Sequence, residues 1–213
     1  MKLRMVALIL GFAACASVGT ASAGDLSISP KGASLAKTLD SFHVEHKWAA
    51  GIHVDWETGL PDNRPENSPG QHTHCSAFVA SAAEKLGVYI LRPPQHSEIL
   101  LANAQNEWLQ TEGRLQGWHQ LFSVVDAQKA ANHGMLVVAS YHNHHDNKPG
   151  HIAIIHPSNQ QTEAVLENGP DAIMASTINH QSISVRDGFA GHPTAWSNNE
   201  ILYFAHEIPA MSR

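Results

Sequence analysis

The chain has 213 residues, 43% of them hydrophobic and 15% charged, with a net charge of −6 and two cysteines. An acidic balance of this kind disfavours nucleic acid as a partner. The length suits one domain with a substantial core, and two cysteines are too few for a disulfide-stapled scaffold.

Met-Lys-Leu-Arg opens the chain, followed by an apolar run from Met5 to about Val18 and by Ala21-Ser22-Ala23. Basic, apolar and small-residue segments in that order predict a cleavable secretory signal over 1–23, too short for a membrane span. A weaker reading makes Phe12-Ala13-Ala14-Cys15 a lipoprotein box with Cys15 lipidated. Cleavage after Ala23 leaves 11 basic against 19 acidic residues, a net charge of −8, and Cys75 as the only thiol. A lone thiol in an oxidising compartment is paired between chains or retained because it reacts. No later apolar run is long enough to span a bilayer, so an integral membrane protein is not expected and the location is periplasmic or secreted. Residues 24–213 are read as one domain with an N-terminal extension.

In chain order, Gly24 to Gly32 is an exposed lead-in and Ala33 to about Ala50 a helix carrying Leu35, Leu39, Phe42 and His46. Gly51 to Trp56 alternates as a short strand, and the Pro- and Gly-rich stretch from Thr58 to Gly70 is a loop. The stretch from Gln71 to Tyr89 then gives a helix with Cys75 in its first turn. Phe78, Val79, Ala82 and Leu86 follow at helical spacing and turn the thiol inward; Gly87 stops it. Further helices are predicted over Glu98–Leu109 and Val125–Asn132, the second ended by Gly134. Strands follow at Met135–Tyr141, His151–Ile155 and Thr162–Glu167, with weaker ones at Ser182–Val185 and Ile201–Ala205. Helices followed by an antiparallel meander make α+β the expected class.

A thiol at a helix N-terminus sits near free backbone N–H groups and the positive end of the helix dipole, which favour thiolate. His151 opens a strand beside small Ala153, and a hairpin with the next strand would bring Glu167 or Asn168 to its ring. Cys75 would attack a carbonyl, His151 would shuttle the proton, and Glu167 or Asn168 would orient His151. The backbone N–H of Cys75, with His72 or His74, would supply the oxyanion hole.

Cys75-Ser-Ala-Phe-Val and Ala82-Ala-Glu-Lys-Leu-Gly-Val resemble the helix of the NlpC/P60 cysteine peptidases, and Gly134-Met-Leu-Val-Val resembles their Gly-Asp-Leu-Val strand. Gly150-His-Ile-Ala-Ile is similar to the Gly-His strand shared with the related CHAP amidases, and Val165-Leu-Glu-Asn to the segment carrying their third polar residue. The resemblance spans roughly Gly70 to Gly169. It implies a papain-like fold, N-terminal helices on a central antiparallel sheet, and cofactor-free hydrolysis of amide bonds in peptidoglycan stem peptides or between peptide and glycan. His74 departs from it, standing where the family has Asp. A thiolate–imidazolium pair would give a bell-shaped pH profile.

Two other classes are weighed beside this one. His142, His144, His145, Asp146 and His151 crowd ten residues, the composition of a periplasmic metal carrier. No His-Glu-x-x-His or Cys-x-x-Cys spacing supports a dedicated metal site, however, and none is expected. Trp48, Trp56, Trp108, Trp118 and Trp196 could line a groove of a non-catalytic wall-binding module; in the hydrolase reading Trp56 joins His72 and His74 as a candidate substrate-binding residue.

Overall fold

The structure is a computed structural model and describes residues 26–65 and 73–209. The predicted signal and the lipoprotein alternative at Cys15 lie outside the described residues, as does His72. Among the described residues no helix is long and apolar enough to cross a membrane.

The fold is α+β: seven helices and one six-stranded, wholly antiparallel sheet among the described residues. Its helices are α1 (Pro30–Asp40), α2 (Cys75–Lys85), α3 (Leu101–Gln110), α4 (Val124–Asn132), α5 (Thr162–Asn168), α6 (Val185–Gly188) and α7 (Pro193–Ser197). Its strands are β1 (His119–Leu121), β2 (Leu136–Tyr141), β3 (His151–Ile155), β4 (Asp171–Met174), β5 (His180–Ser184) and β6 (Leu202–His206), in spatial order β1-β6-β2-β3-β4-β5. The expected meander fails at one place. The chain's latest described strand, β6, is threaded between β1 and β2.

Each element has a local cause. Ser29 caps α1, its hydroxyl accepting from the Gly32 N–H with Pro30 in the first turn. The helix stops at Asp40, earlier than the expected Ala50, because His43 takes a left-handed φ of 52° and leads into a 3₁₀ turn at Val44–His46. The supposed lead-in is tied down: Leu26 is buried, and Ser29 bonds the Asn132 carbonyl. Gly87, at φ 71°, ends the turn after α2. Only the isolated bridge Val54–Pro61 represents the strand expected at Gly51–Trp56. The segment expected as a strand at Thr162–Glu167 is helix α5, with Val165 its one buried residue. The strand that follows β3 in the chain and pairs with it is β4, after Gly169.

The sheet is buried on both faces. Against one face pack α2, Leu35 and Leu39 of α1, and Ala102 and Leu109 of α3. Phe42, Trp48 and Phe78 sit there with ring centroids 5.2–5.9 Å apart. Against the other face pack α4, Val185 of α6 and Ala195 of α7, around Tyr141, Met174 and Phe189. The β2–β3 turn closes at Gly150. A Cβ there would overlap the Tyr141 carbonyl oxygen and the Asn103 amide oxygen. Gly150→Ala is therefore expected to cost at least about 2 kcal/mol, because the obstructing atom is backbone and cannot rotate away. Urea unfolding checks this; a midpoint equal to wild type would show the turn to be pliable.

Candidate functional site

Cys75 begins α2 and is 4% exposed. Its thiol lies against β3 near the Ile152 backbone. Burial pushes the thiol pKa up, and hydrogen bonding from the backbone at Ile152, Ser76 and Cys75 offsets this only in part. The expected activated thiolate is thus not the resting state. The physical reason is desolvation, which disfavours the charged form more than the helix terminus favours it.

His151 does not meet Cys75. Along β3, Ile152 and Ile154 pack on the α2 side with Cys75 and Phe78, whereas Ala153 and Ile155 pack on the α4 side. By the two-residue alternation of a strand, His151 shares the α4 side. Its ring confirms this: Nε2 lies 3.4 Å from the Met174 sulfur, and the ring centroid is 4.6 Å from Phe189 and 6.1 Å from His192. The sheet stands between the expected nucleophile and its expected base. Burial, and secondarily the His192 charge, depress the His151 pKa to about 3, so the ring is neutral.

The expected third members are elsewhere. Glu167 is exposed on α5, and the Asn168 side-chain oxygen accepts a long 3.4 Å bond from the Arg186 guanidinium. Neither reaches His151, because their segment is helical and the hairpin that was to present them does not form. Trp56 is half-buried against the α2-side core, and its carbonyl accepts from the Trp48 indole N–H at 3.1 Å.

Of the expected site residues, His74 is the one adjacent to Cys75 in the chain, at the start of α2. It is buried, and its Nε2–H donates to the Ile52 carbonyl at 2.8 Å. That commits the donor expected for the oxyanion hole and leaves Nδ1 as a lone-pair acceptor. Burial first, then the His53 and Arg64 charges, lower its pKa, against the opposing pull of the Ile52 bond and Glu98. Gln105, buried on α3, is a residue that the sequence reading did not single out. Its amide donates to the Ser76 carbonyl (3.2 Å) and the Leu91 carbonyl (2.9 Å), fastening α3 to the first turn of α2. A buried Gln and Asn106 side by side on an apolar face were the available signal.

The 142–146 cluster is a half-buried to exposed loop end. His142 Nε2 lies 2.9 Å from Glu107 Oε1, and the His144 ring is 5.4 Å from His142. These residues line one side of a cleft of about 400 Å³ with Asn106, Gln110 and Glu200. Among the described residues, no three His, Cys, Asp or Glu side chains converge on a point where they could hold a metal ion. No protein-family model matches the chain, and no curated protein matches it significantly.

Proposed function

We propose that this chain is an exported cysteine hydrolase that cleaves peptidoglycan amide bonds with Cys75 as nucleophile, as the NlpC/P60 resemblance implies. The observation that carries the reading is the setting of its lone mature thiol. Cys75 sits at the first turn of a helix laid on an antiparallel sheet, with backbone hydrogen bonding from Ile152, Ser76 and Cys75 that favours the thiolate. Those groups stabilise negative charge at the sulfur as the thiol ionises.

In this reading the base is His74, the residue that precedes Cys75 at the N-terminus of α2. Its Nε2–H is fixed by a backbone carbonyl, so Nδ1 is the nitrogen able to take the proton. The Ile52 carbonyl fills the orienting role first expected of Glu167 or Asn168. With the thiol raised and His74 lowered, the resting pair is thiol and neutral imidazole. Activity should survive into mildly acidic solution and fall only once His74 is protonated, below the ordinary imidazole range.

The test is mass analysis of purified muropeptides after incubation with wild type and variants. Cys75→Ala should give no products, and His74→Gln should lose about 100-fold or more, the upper part of the range for a general base. His151→Gln should keep its turnover per folded molecule. Unchanged muropeptides with the wild type would end the hydrolase reading, and loss in His151→Gln alone would return the base to β3.

A further inference from the structure

The sheet face opposite Cys75 holds chemistry that hydrolysis does not use. We propose that His151 Nε2 and Met174 Sδ, with His192 as third ligand, form a buried site for the soft monovalent ion Cu(I).

The spacing is the first support. Nε2 and Sδ are 3.4 Å apart. A metal–nitrogen bond of about 2.0 Å and a metal–sulfur bond of about 2.3 Å, meeting at about 105°, hold nitrogen and sulfur roughly 3.4 Å apart. Without an ion the contact is poor: a thioether is a weak acceptor, and this imidazole is 5% exposed.

The sulfur is also given room. A Cβ at Gly188 would overlap the Met174 methyl and sit 3.0 Å from its sulfur, so only glycine at that position leaves the thioether where it lies. Phe189 closes the site edge-on, and half-buried His192, 6.1 Å from His151 between ring centroids, forms its outer wall. From His192 a row of rings leads outward: Tyr141 at 4.9 Å, then His144 at 6.4 Å from Tyr141, then His142. The row thus links the surface imidazoles singled out in the sequence to the outer ligand of the site through buried Tyr141.

The donor set selects the ion. Two imidazoles and a thioether lack the thiolate or carboxylate that would neutralise a dication, and only two of the three are ligands of the kind zinc takes. Thioether sulfur favours Cu(I). A single charge also costs less to bury among neutral ligands than a double one.

The site is independent of the hydrolase reading, since Cys75 lies across the sheet. The experiment is an anaerobic titration of tag-free protein with Cu(I) in competition with a chromophoric Cu(I) chelator. Ag(I) serves as a redox-inert probe of the Met174 methyl resonance by NMR. Wild type and Cys75→Ala should each withhold one Cu(I), and Ag(I) should shift the Met174 methyl. Met174→Leu, which keeps the side-chain volume, should lose affinity at least 10-fold, and His192→Ala should also weaken binding. His142→Ala with His144→Ala should slow loading and leave the final stoichiometry unchanged. Surrender of all Cu(I) by the wild type would overturn the proposal. So would Met174→Leu binding as tightly as wild type, or loss of the ion in Cys75→Ala.

Discussion

Asn132→Ala is expected to remove about 3–5 kcal/mol of stability, a large share of the 5–15 kcal/mol typical of a domain. Asn132 is fully buried at the end of α4. Its amide nitrogen donates to the Leu26 carbonyl and, at 2.9 Å, to the Ser158 carbonyl. Its oxygen accepts from the Ser158 N–H and the Gln128 amide, both at 2.9 Å. Gln128 in turn donates to the His156 carbonyl and accepts from the Asp171 N–H. Two neighbouring amides thereby join the N-terminal segment, α4, the turn after β3 and the start of β4. Truncation strands several buried backbone groups at once, and each costs about 1–3 kcal/mol. Asn132→Asp separates hydrogen bonding from shape. The isosteric carboxylate would face two carbonyl oxygens, so it should be at least as damaging at neutral pH and partly recover when protonated. Urea unfolding at pH 7 and pH 5 measures both, and an Asn132→Ala loss under 1 kcal/mol would refute the account.

The second large effect is acid lability centred on His151 in the metal-free protein. Its folded-state pKa is about 3 against 6.5 for the exposed side chain. Between those values the unfolded chain binds a proton that the folded chain refuses, so stability falls as pH drops from about 6.5 toward 3. At about 1.4 kcal/mol per pH unit, the fall reaches roughly 3 kcal/mol by pH 4. The groups facing the ring are Met174, Phe189, Tyr141 and His192. None is a carboxylate that could hold the imidazolium, and half-buried His192, itself lowered by burial, adds to the effect. Buried His74, across the sheet, titrates in the same direction. Chemical denaturation from pH 7 to 4 should give His151→Leu a slope smaller by about one proton, whatever its stability at neutral pH. Parallel slopes would mean that the imidazole is hydrated in solution.

These residues also show what the sequence could reveal. Helix α2 was legible because Phe78, Val79 and Ala82 recur at helical spacing and Gly87 marks the stop. Strands β2 and β3 were legible as β-branched runs of strand length. The side of the sheet to which His151 belongs was not. A strand buried on both faces has no polar–apolar alternation, and Ile152-Ala153-Ile154-Ile155 reads the same whichever face α2 covers. Helix α5 was missed for a related reason. Thr162–Asn168 is barely two turns long with one buried position, too short for either period to stand out. His74 was visible as a candidate, but its tautomer depends on Ile52, 22 positions away.

The threading of β6 between β1 and β2 has a consequence for how the protein is made. Among the described residues strand β1 has no other partner, and β2 would expose an open edge until residues 202–206 arrive. A nascent chain therefore cannot complete this sheet until residues 202–206 have left the ribosome. Because that one strand holds both of its neighbours in the sheet, a protease clipping it would dismantle the fold rather than trim it.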